Sequence, residues 1–183
     1  MDTIEALFTR ASPPLLTAPG PTAGQLDTIL KAGSRAPDHG RMQPFRFAIM
    51  EGAARQRLGD LMAESLYRRE PEASASKLDA ERAKTQRAPL IIAVAAVLQP
   101  NPKVPEVEQI VCAGAAAQNM LLAAHAMGLG AFWRTGPASY DPAVKTGLGF
   151  SEADAIVGFL YFGTATVTPP ERPVDVAAVT RRI

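Results

Sequence analysis

The chain has 183 residues, of which 47% are hydrophobic and 20% are charged, with a formal net charge of +1 and a single cysteine. This composition excludes a disordered chain and is typical of a folded domain, so we expect a single domain over residues 1–183. The small net charge disfavours nucleic acid or an anionic membrane as a partner, and one cysteine excludes a disulfide framework or a multi-cysteine metal site.

The first segment, MDTIEALFTR, has acidic residues and no apolar run like that of a signal peptide, so we expect a cytoplasmic protein. Asp2, followed three places later by a glutamate, predicts the start of a helix that ends near Arg10. Four prolines within residues 13–21 predict an extended loop without regular structure. Thr22 begins a second helix. The apolar stripe of this helix comprises Leu26, Ile29, Leu30 and Gly33.

A polar loop, RAPDHGRMQPF, runs from Arg35 to Phe45 between this helix and a strand. Pro37 and Pro44 restrict the backbone at its two ends. Its hydrogen-bonding side chains are Asp38, His39, Arg41 and Gln43. This set suits a planar polar ligand that carries negative charge, but a solvated connection explains the loop equally well.

Two segments in the middle of the chain predict strands. FRFAIME, residues 45–51, alternates so that Phe45, Phe47 and Ile49 form one buried face. PLIIAVAAVL, residues 89–98, is apolar almost throughout, which is typical of a central strand covered on both faces.

Helices separate and follow these strands. An amphipathic helix follows Gly52, and the polar stretch 70–87 predicts a loop and a surface helix capped by Ser76. The alanine-rich run 106–127 predicts a long central helix. Residues 109–133 carry no Asp, Glu, Lys or Arg, but polar side chains and many small residues favour a buried helix over a membrane span.

Residues 131–135 predict a short strand or an extended segment, and residues 155–164 predict a last strand. Between them, Asp141 and Pro142 predict a capped helix start. The order of helices and strands predicts an α+β domain with a mixed or antiparallel sheet flanked by helices. It does not match a regular βαβ alternation.

Several common catalytic motifs are absent. Gly128 and Gly130 form a GxG that follows a helix and lacks a third glycine, and no phosphate-binding GxxxxGK[ST] occurs. The two histidines, His39 and His125, have no third ligand at metal spacing, so we expect no metal site. Chemistry in this chain would therefore come from a bound cofactor.

Cationic and hydroxyl side chains recur at polar positions along the chain. They are Arg10 and Ser12 after the first helix, Arg35 and His39 in the polar loop, and Arg172 in the proline-rich tail. Each alone is typical of a solvated surface. Brought together, they would form a phosphate site.

These residues, with RAPDHGRMQPF, the alanine-rich helix into GLGAFWRTG, GFLYFGT and PPERP, resemble the FMN-dependent nitroreductase family. Among its members, the short YdjA-like NAD(P)H nitroreductases are the most similar. The resemblance covers essentially the whole chain in order. It implies a nitroreductase-type α+β fold and an intertwined homodimer with FMN at the interface.

The resemblance also implies roles for individual residues. The phosphate of FMN would be bound by Arg10, Ala11 and Ser12, with Arg172 from the tail. The polar loop, typically of the partner subunit, would contact the ribityl chain and ring through Arg35, His39 and Gln43. The segment after the central helix would face the flavin through Trp133, Arg134 and Thr135. A nicotinamide-binding stretch would comprise Ala123, Ala124, His125, Ala126, Met127 and Gly128.

The implied activity is hydride transfer from NAD(P)H through FMN to a nitroaromatic, a quinone or a similar small-molecule acceptor by a ping-pong mechanism. The alternatives are another flavin reaction on the same fold (dehalogenation, enal reduction or flavin breakdown), a flavin-binding module without turnover, and a helical scaffold without a cofactor. Ala11, Pro13 and Pro14 stand where the family usually has further arginines, so the phosphate site differs from the common pattern.

Overall fold

The computed structural model describes residues 1–167, 169–170 and 173–183. Within them the helices are α1 (Thr3–Thr9), α2 (Ala23–Gly33), α3 (Ala53–Arg69), α4 (Ala75–Ala83), α5 (Glu106–Ala126) and α6 (Pro142–Gly147). The strands are β1 (Leu16–Thr17), β2 (Phe45–Glu51), β3 (Leu90–Ala96), β4 (Gly130–Arg134) and β5 (Ala155–Ala165).

The five strands form one sheet in which β5 is the organising strand. The order is β1, β5, β3, β2, and β4 also pairs with β5. Every described pairing is antiparallel, with Leu90 opposite Phe162 in β3 and β5, and Trp133 opposite Leu160 in β4 and β5. The predicted α+β architecture is confirmed, and of the two predicted alternatives, mixed or antiparallel, the described sheet is antiparallel.

Each face of the sheet carries its own hydrophobic core. On one face, Ile91, Tyr161 and Phe159 pack with residues of α3 and α6. On the other face, Ile92 and Leu160 pack with α2 and with the small residues of α5. All seven residues of β3 are buried, as the continuous apolar run predicted.

Capping residues define the helix ends that the sequence predicted. The Asp2 side chain accepts a hydrogen bond from the Glu5 backbone N–H at 2.9 Å. Thr22 and Gln25 form a complete capping box at the start of α2. These caps fix α1 and α2, the helices that lead into the two candidate binding segments.

Three local predictions were wrong. Ile49 is 42% exposed, whereas Met50 is 4% exposed, because β2 is an outer strand and the helices that cover Phe45 and Phe47 do not reach Ile49. The cap of α4 is Ser74 and not Ser76, since the Ser74 hydroxyl accepts the Lys77 N–H.

The proline-rich segment also contains regular structure. Leu16 and Thr17 form β1 by pairing with Ala165 and Thr164, although the prolines predicted none. The prolines themselves stay outside the two-residue ladder, so the absence of their N–H groups costs no pairing here.

Within the described part of the chain, no helix is long and apolar enough to cross a bilayer. The same residues contain no cluster of three metal-ligating side chains.

Candidate functional site

Arg10 and Ser12 lie together on the wall of a large cleft. The Arg10 Nη1 atom donates a hydrogen bond to the Ser12 hydroxyl at 3.1 Å. The cleft has a volume of about 980 Å³. Its lining residues are Leu7, Phe8, Thr9, Arg10, Ala11, Ser12, Phe132, Pro169, Pro170, Pro173 and Val174. None of these described lining residues is acidic, so the wall suits an anion.

A contact between α1 and α5 fixes the position of Arg10. The Thr9 hydroxyl donates to the Glu5 carbonyl at 2.7 Å and lies 2.8 Å from His125 Nε2. A hydroxyl has one hydrogen, so the His125 Nε2–H donates to Thr9. Burial, and then the charge of nearby Arg10, lower the pKa of His125, so this ring is a neutral support for the end of α1.

Trp133, at the end of β4, packs against the α5 side of the sheet. Its Nε1 donates to the Val157 carbonyl at 3.0 Å. A Cβ added to Gly158 would overlap Nε1 and lie 2.6 Å from Cδ1. Gly158 is therefore the residue that makes room for the indole ring.

Arg134 faces the opposite side of the sheet from Trp133. Its guanidinium carbon lies 4.0 Å from the centroid of the Phe132 ring and 5.4 Å from that of Tyr161. Its Nη2 donates to the Pro14 carbonyl at 2.9 Å, which ties the end of β4 to the segment after Ser12. Burial is the main cause that lowers the pKa of Arg134, followed by repulsion from Arg87.

Asp38 organises the polar loop. Its carboxylate accepts the backbone N–H of Met42 at 3.1 Å and that of Gln43 at 2.7 Å. The loop contains three positive φ angles, 71° at Gly40, 53° at Arg41 and 46° at Gln43. Because such angles are unfavourable for residues other than glycine, the Asp38 hydrogen bonds offset local strain.

The side chains of Arg35, His39 and Gln43 project from this loop and are exposed. His39 Nδ1 lies 2.5 Å from a Glu108 carboxylate oxygen in the first turn of α5. His125, which supports α1, lies in the last turn of the same helix, about 25 Å away at 1.5 Å per residue. Within one chain, the loop and the Arg10–Ser12 pair are therefore at opposite ends of α5.

Comparison with known proteins identifies the family. A model described as the nitroreductase family matches residues 10–164. The chain belongs to the nitroreductase family. It is 43% identical over 164 residues to an Escherichia coli K12 protein named "Putative NAD(P)H nitroreductase YdjA", covering 90% of this chain and 88% of that protein. A relative from Haemophilus influenzae, named "Putative NAD(P)H nitroreductase", is 36% identical over 165 residues. This match covers 90% of this chain and 89% of the relative.

Solved nitroreductase structures share the fold. A nitroreductase-like protein from Bacillus cereus superposes with a TM-score of 0.87 at 23% identity, covering 100% of this chain and 96% of that one. A nitroreductase with bound FMN from Bacteroides fragilis has a TM-score of 0.77 at 19% identity, with 100% of both chains covered. The predicted nitroreductase fold is confirmed.

The predicted nicotinamide stretch of this nitroreductase, residues 123–128, covers the last four residues of α5 and the two residues that follow the helix. Ala124 is fully buried, and Ala123 and Met127 pack against the core. Of the six residues, Ala126 and Gly128 are exposed. The role of the stretch stays a prediction, as do the flavin roles of Trp133, Arg134 and Thr135. Arg172 lies outside the described residues.

Three supporting residues were given no role from the sequence alone: Thr9, Glu108 and Gly158. Asp38 was predicted among the side chains that would bind a ligand, but in the structure its carboxylate binds the backbone of its own loop. A glycine inside an apolar strand signals close approach of another group, which is the signal for Gly158. Asp38 lies in a loop two residues before Gly40, and aspartate in a turn commonly accepts hydrogen bonds from nearby backbone N–H groups. Thr9 and Glu108 act through contacts distant in sequence, for which no local pattern exists.

Proposed function

We propose that this chain is an FMN-dependent NAD(P)H oxidoreductase of the nitroreductase type, built as one domain over residues 1–183. When bound, FMN supplies the redox chemistry, taking hydride from NAD(P)H and passing it to a nitroaromatic, a quinone or a similar acceptor by a ping-pong mechanism. Family membership, the names of the relatives and the FMN-bound neighbour support this function. The observation that carries it is the Arg10–Ser12 pair on the cleft wall.

In this proposal Arg10, Ala11 and Ser12 bind the FMN phosphate. The Arg10 guanidinium and the Ser12 hydroxyl already lie within hydrogen-bonding distance, so both can donate to one phosphate group after small side-chain rotations. Pro13, which follows them, is buried and holds the segment in place. Arg172 belongs to the same proposal as a further phosphate ligand.

The end of β4 would hold the flavin ring. This segment, Trp133 to Thr135, lies beside the phosphate segment, because the Arg134 side chain binds the Pro14 carbonyl. The Trp133 and Arg134 side chains are held by Val157 and by two aromatic rings. They therefore leave the backbone groups of this segment to position the ring and exclude water from it.

The polar loop would act from a second copy of the chain in a homodimer. The separation of about 25 Å along α5 places Arg35, His39 and Gln43 too far from Arg10 for one ligand to bind both within one chain. Apolar side chains stand exposed on α1 and α5 and suit a protein partner. They include Ile4 (58% exposed), Phe8 (77%), Val107 (61%) and Val111 (65%).

NAD(P)H would bind over the flavin, with the end of α5, residues 123–128, as the proposed contact. The exposed Ala126 and Gly128 are the members of this stretch that a co-substrate can reach. A cytoplasmic location belongs to the same proposal, because NAD(P)H is an intracellular reductant.

The experiment that tests the phosphate assignment is FMN titration of the double variant Arg10→Ala, Ser12→Ala. Hydrogen bonds to charged groups contribute about 1.5–3 kcal/mol each, so we expect the Kd for FMN to rise at least about tenfold. Arg69→Ala removes an exposed cation on α3, away from the cleft, and serves as the control. Equal FMN affinity in the double variant and wild type would refute the assignment.

A further inference from the structure

The first helix, α1, is short and mostly exposed, yet it ends at the segment proposed to bind phosphate. It has seven residues, of which Ala6 is buried, and isolated helices shorter than about 12–15 residues are marginal in water. Arg10 follows its last residue, and Arg10 and Ser12 lie together on the wall of the large cleft. The position of this pair therefore depends on the contacts that hold the last turn of α1.

A side-chain hydrogen bond joins this turn to the last turn of α5. The Thr9 hydroxyl donates its hydrogen to the Glu5 carbonyl at 2.7 Å, and Thr9 Oγ1 lies 2.8 Å from His125 Nε2, so the ring nitrogen is the donor. Burial, and then the charge of Arg10, lower the pKa of His125, whereas Glu5 raises it. Above pH 7 the ring is neutral, so it acts through this hydrogen bond and not through its charge.

Thr9 connects His125 to the wall of the large cleft, which it lines beside Arg10. The Arg10 N–H donates to the Ala6 carbonyl at 3.1 Å, but its ψ angle of 123° takes the chain out of the helix. If the last turn frays, this exit moves, and the Arg10 guanidinium leaves the Ser12 hydroxyl, which lies 3.1 Å from it. A bound phosphate would then lose its paired donors.

The environment of His125 differs from that of its exposed neighbours. Within residues 123–128, Ala126 and Gly128 are exposed, whereas His125 is half-buried and its Nε2–H is used by Thr9. A side chain whose donor is already bound within the protein has less to offer a co-substrate. The geometry therefore suits a support for α1 better than a contact with nicotinamide.

We propose that His125 is a positioning residue for the flavin phosphate and not a nicotinamide contact. It holds Thr9, the last turn of α1 holds Arg10, and this chain of contacts makes the cleft select FMN over riboflavin. The inference rests on the proposed function, because it takes the Arg10–Ser12 pair as the phosphate site.

Riboflavin separates this role from a general effect on folding or on binding of the flavin ring. It has the ring and the ribityl chain of FMN but no phosphate, so the Kd for riboflavin divided by that for FMN measures the phosphate contribution. The full-length protein, loaded with either flavin, is diluted in steps at pH 8, and the fluorescence of released flavin gives each Kd. At this pH the phosphate, with a second pKa of about 6, is a dianion and the His125 ring is neutral.

His125→Asn and His125→Gln are the decisive pair of variants. Glutamine can place an amide N–H close to the position of Nε2, whereas asparagine reaches only the position of Nδ1. Loss of one hydrogen bond corresponds to about a two- to tenfold change in an equilibrium constant. We expect the riboflavin/FMN ratio to fall at least about threefold in His125→Asn and to stay within about twofold of wild type in His125→Gln.

Thr9→Val tests the same contact from α1, since valine and threonine have similar helix propensities. We expect a fall in the ratio like that of His125→Asn, and the double variant should be no weaker than the weaker single variant. Thr28→Val is the matched control, because the Thr28 hydroxyl also donates to a carbonyl four residues earlier, that of Gly24 at 2.9 Å, but in α2 and not on the cleft wall. It should bind both flavins like wild type, and melting temperatures verify folding of every variant.

The inference is overturned if His125→Asn keeps the wild-type ratio, if it weakens binding of both flavins equally, or if His125→Gln loses as much as His125→Asn. Additive losses in the double variant would show that Thr9 and His125 act separately and would also overturn it. A wild type that binds FMN no more tightly than riboflavin would overturn the phosphate assignment as well, so the two failures are distinguishable.

Discussion

Replacing Gly158 by alanine tests how β4 and β5 hold the indole of Trp133. The added Cβ would overlap Trp133 Nε1 and approach Cδ1 to 2.6 Å, so the ring must move. Movement breaks the hydrogen bond of 3.0 Å to the Val157 carbonyl. Overpacking typically costs about 1–3 kcal/mol and the hydrogen bond about 0.5–1.5 kcal/mol, so we expect a loss of about 2–4 kcal/mol in unfolding free energy.

Urea unfolding followed by tryptophan fluorescence measures this loss directly, because Trp133 is the single tryptophan of the chain. Gly114→Ala is the matched control, since its added Cβ would lie 4.0 Å from Trp133 Cη2, an ordinary contact. In α5 that change should be neutral or stabilise by up to about 1 kcal/mol. A Gly158→Ala protein as stable as wild type, with an unchanged emission spectrum, would refute the reasoning.

Three further predictions concern the cap of α4, the pH dependence of stability and the order of the polar loop. Ser74→Ala should lower unfolding free energy by about 1 kcal/mol because it removes the cap of α4, whereas Ser76→Ala should be neutral or stabilising; paired urea titrations compare them. Burial raises the pKa of Asp141, but the neighbouring Ser65 hydroxyl, Arg68 and the Ala143 backbone N–H outweigh it and leave the pKa below its ordinary value. The stability that Asp141 contributes is therefore present above the unfolded pKa of about 3.9 and lost as pH falls, so urea titrations of wild type and Asp141→Asn should converge below about pH 4. Asp38→Ala should release the polar loop without unfolding the core, giving faster amide hydrogen exchange in the loop; unchanged exchange would contradict its role.

Much of the fold could be predicted from local signals. The alternation of residues 45–51 predicted β2 with its correct bounds. The apolar run of residues 89–98 predicted that β3 is buried on both faces. Capping residues located the starts of α1 and α2. These signals succeed because each depends on neighbours a few residues away.

The errors came from features that depend on distant partners. Ile49 follows the alternation but lies on an outer strand beyond the covering helices. Ser74 and Ser76 are equally good caps by type, and only the packing of α4 decides between them. Leu16 and Thr17 become a strand because β5 offers them a partner.

For the candidate site, the sequence identified the segments but not their supports. Arg10 and Ser12 do lie together on a cleft wall, as the predicted phosphate site requires. The contacts that fix them, from Thr9 to His125 and from Arg134 to Pro14, join residues more than a hundred positions apart. No periodicity or spacing in the sequence carries such information.

Anaerobic titration of the FMN-loaded protein with NADH and NADPH tests the proposed function most directly. We predict that the protein binds one FMN per chain, that at least one nicotinamide bleaches the visible absorbance of the flavin, and that a nitroaromatic or a quinone restores it. A protein that binds no FMN, or whose bound flavin keeps its full absorbance with both nicotinamides, would contradict the proposal.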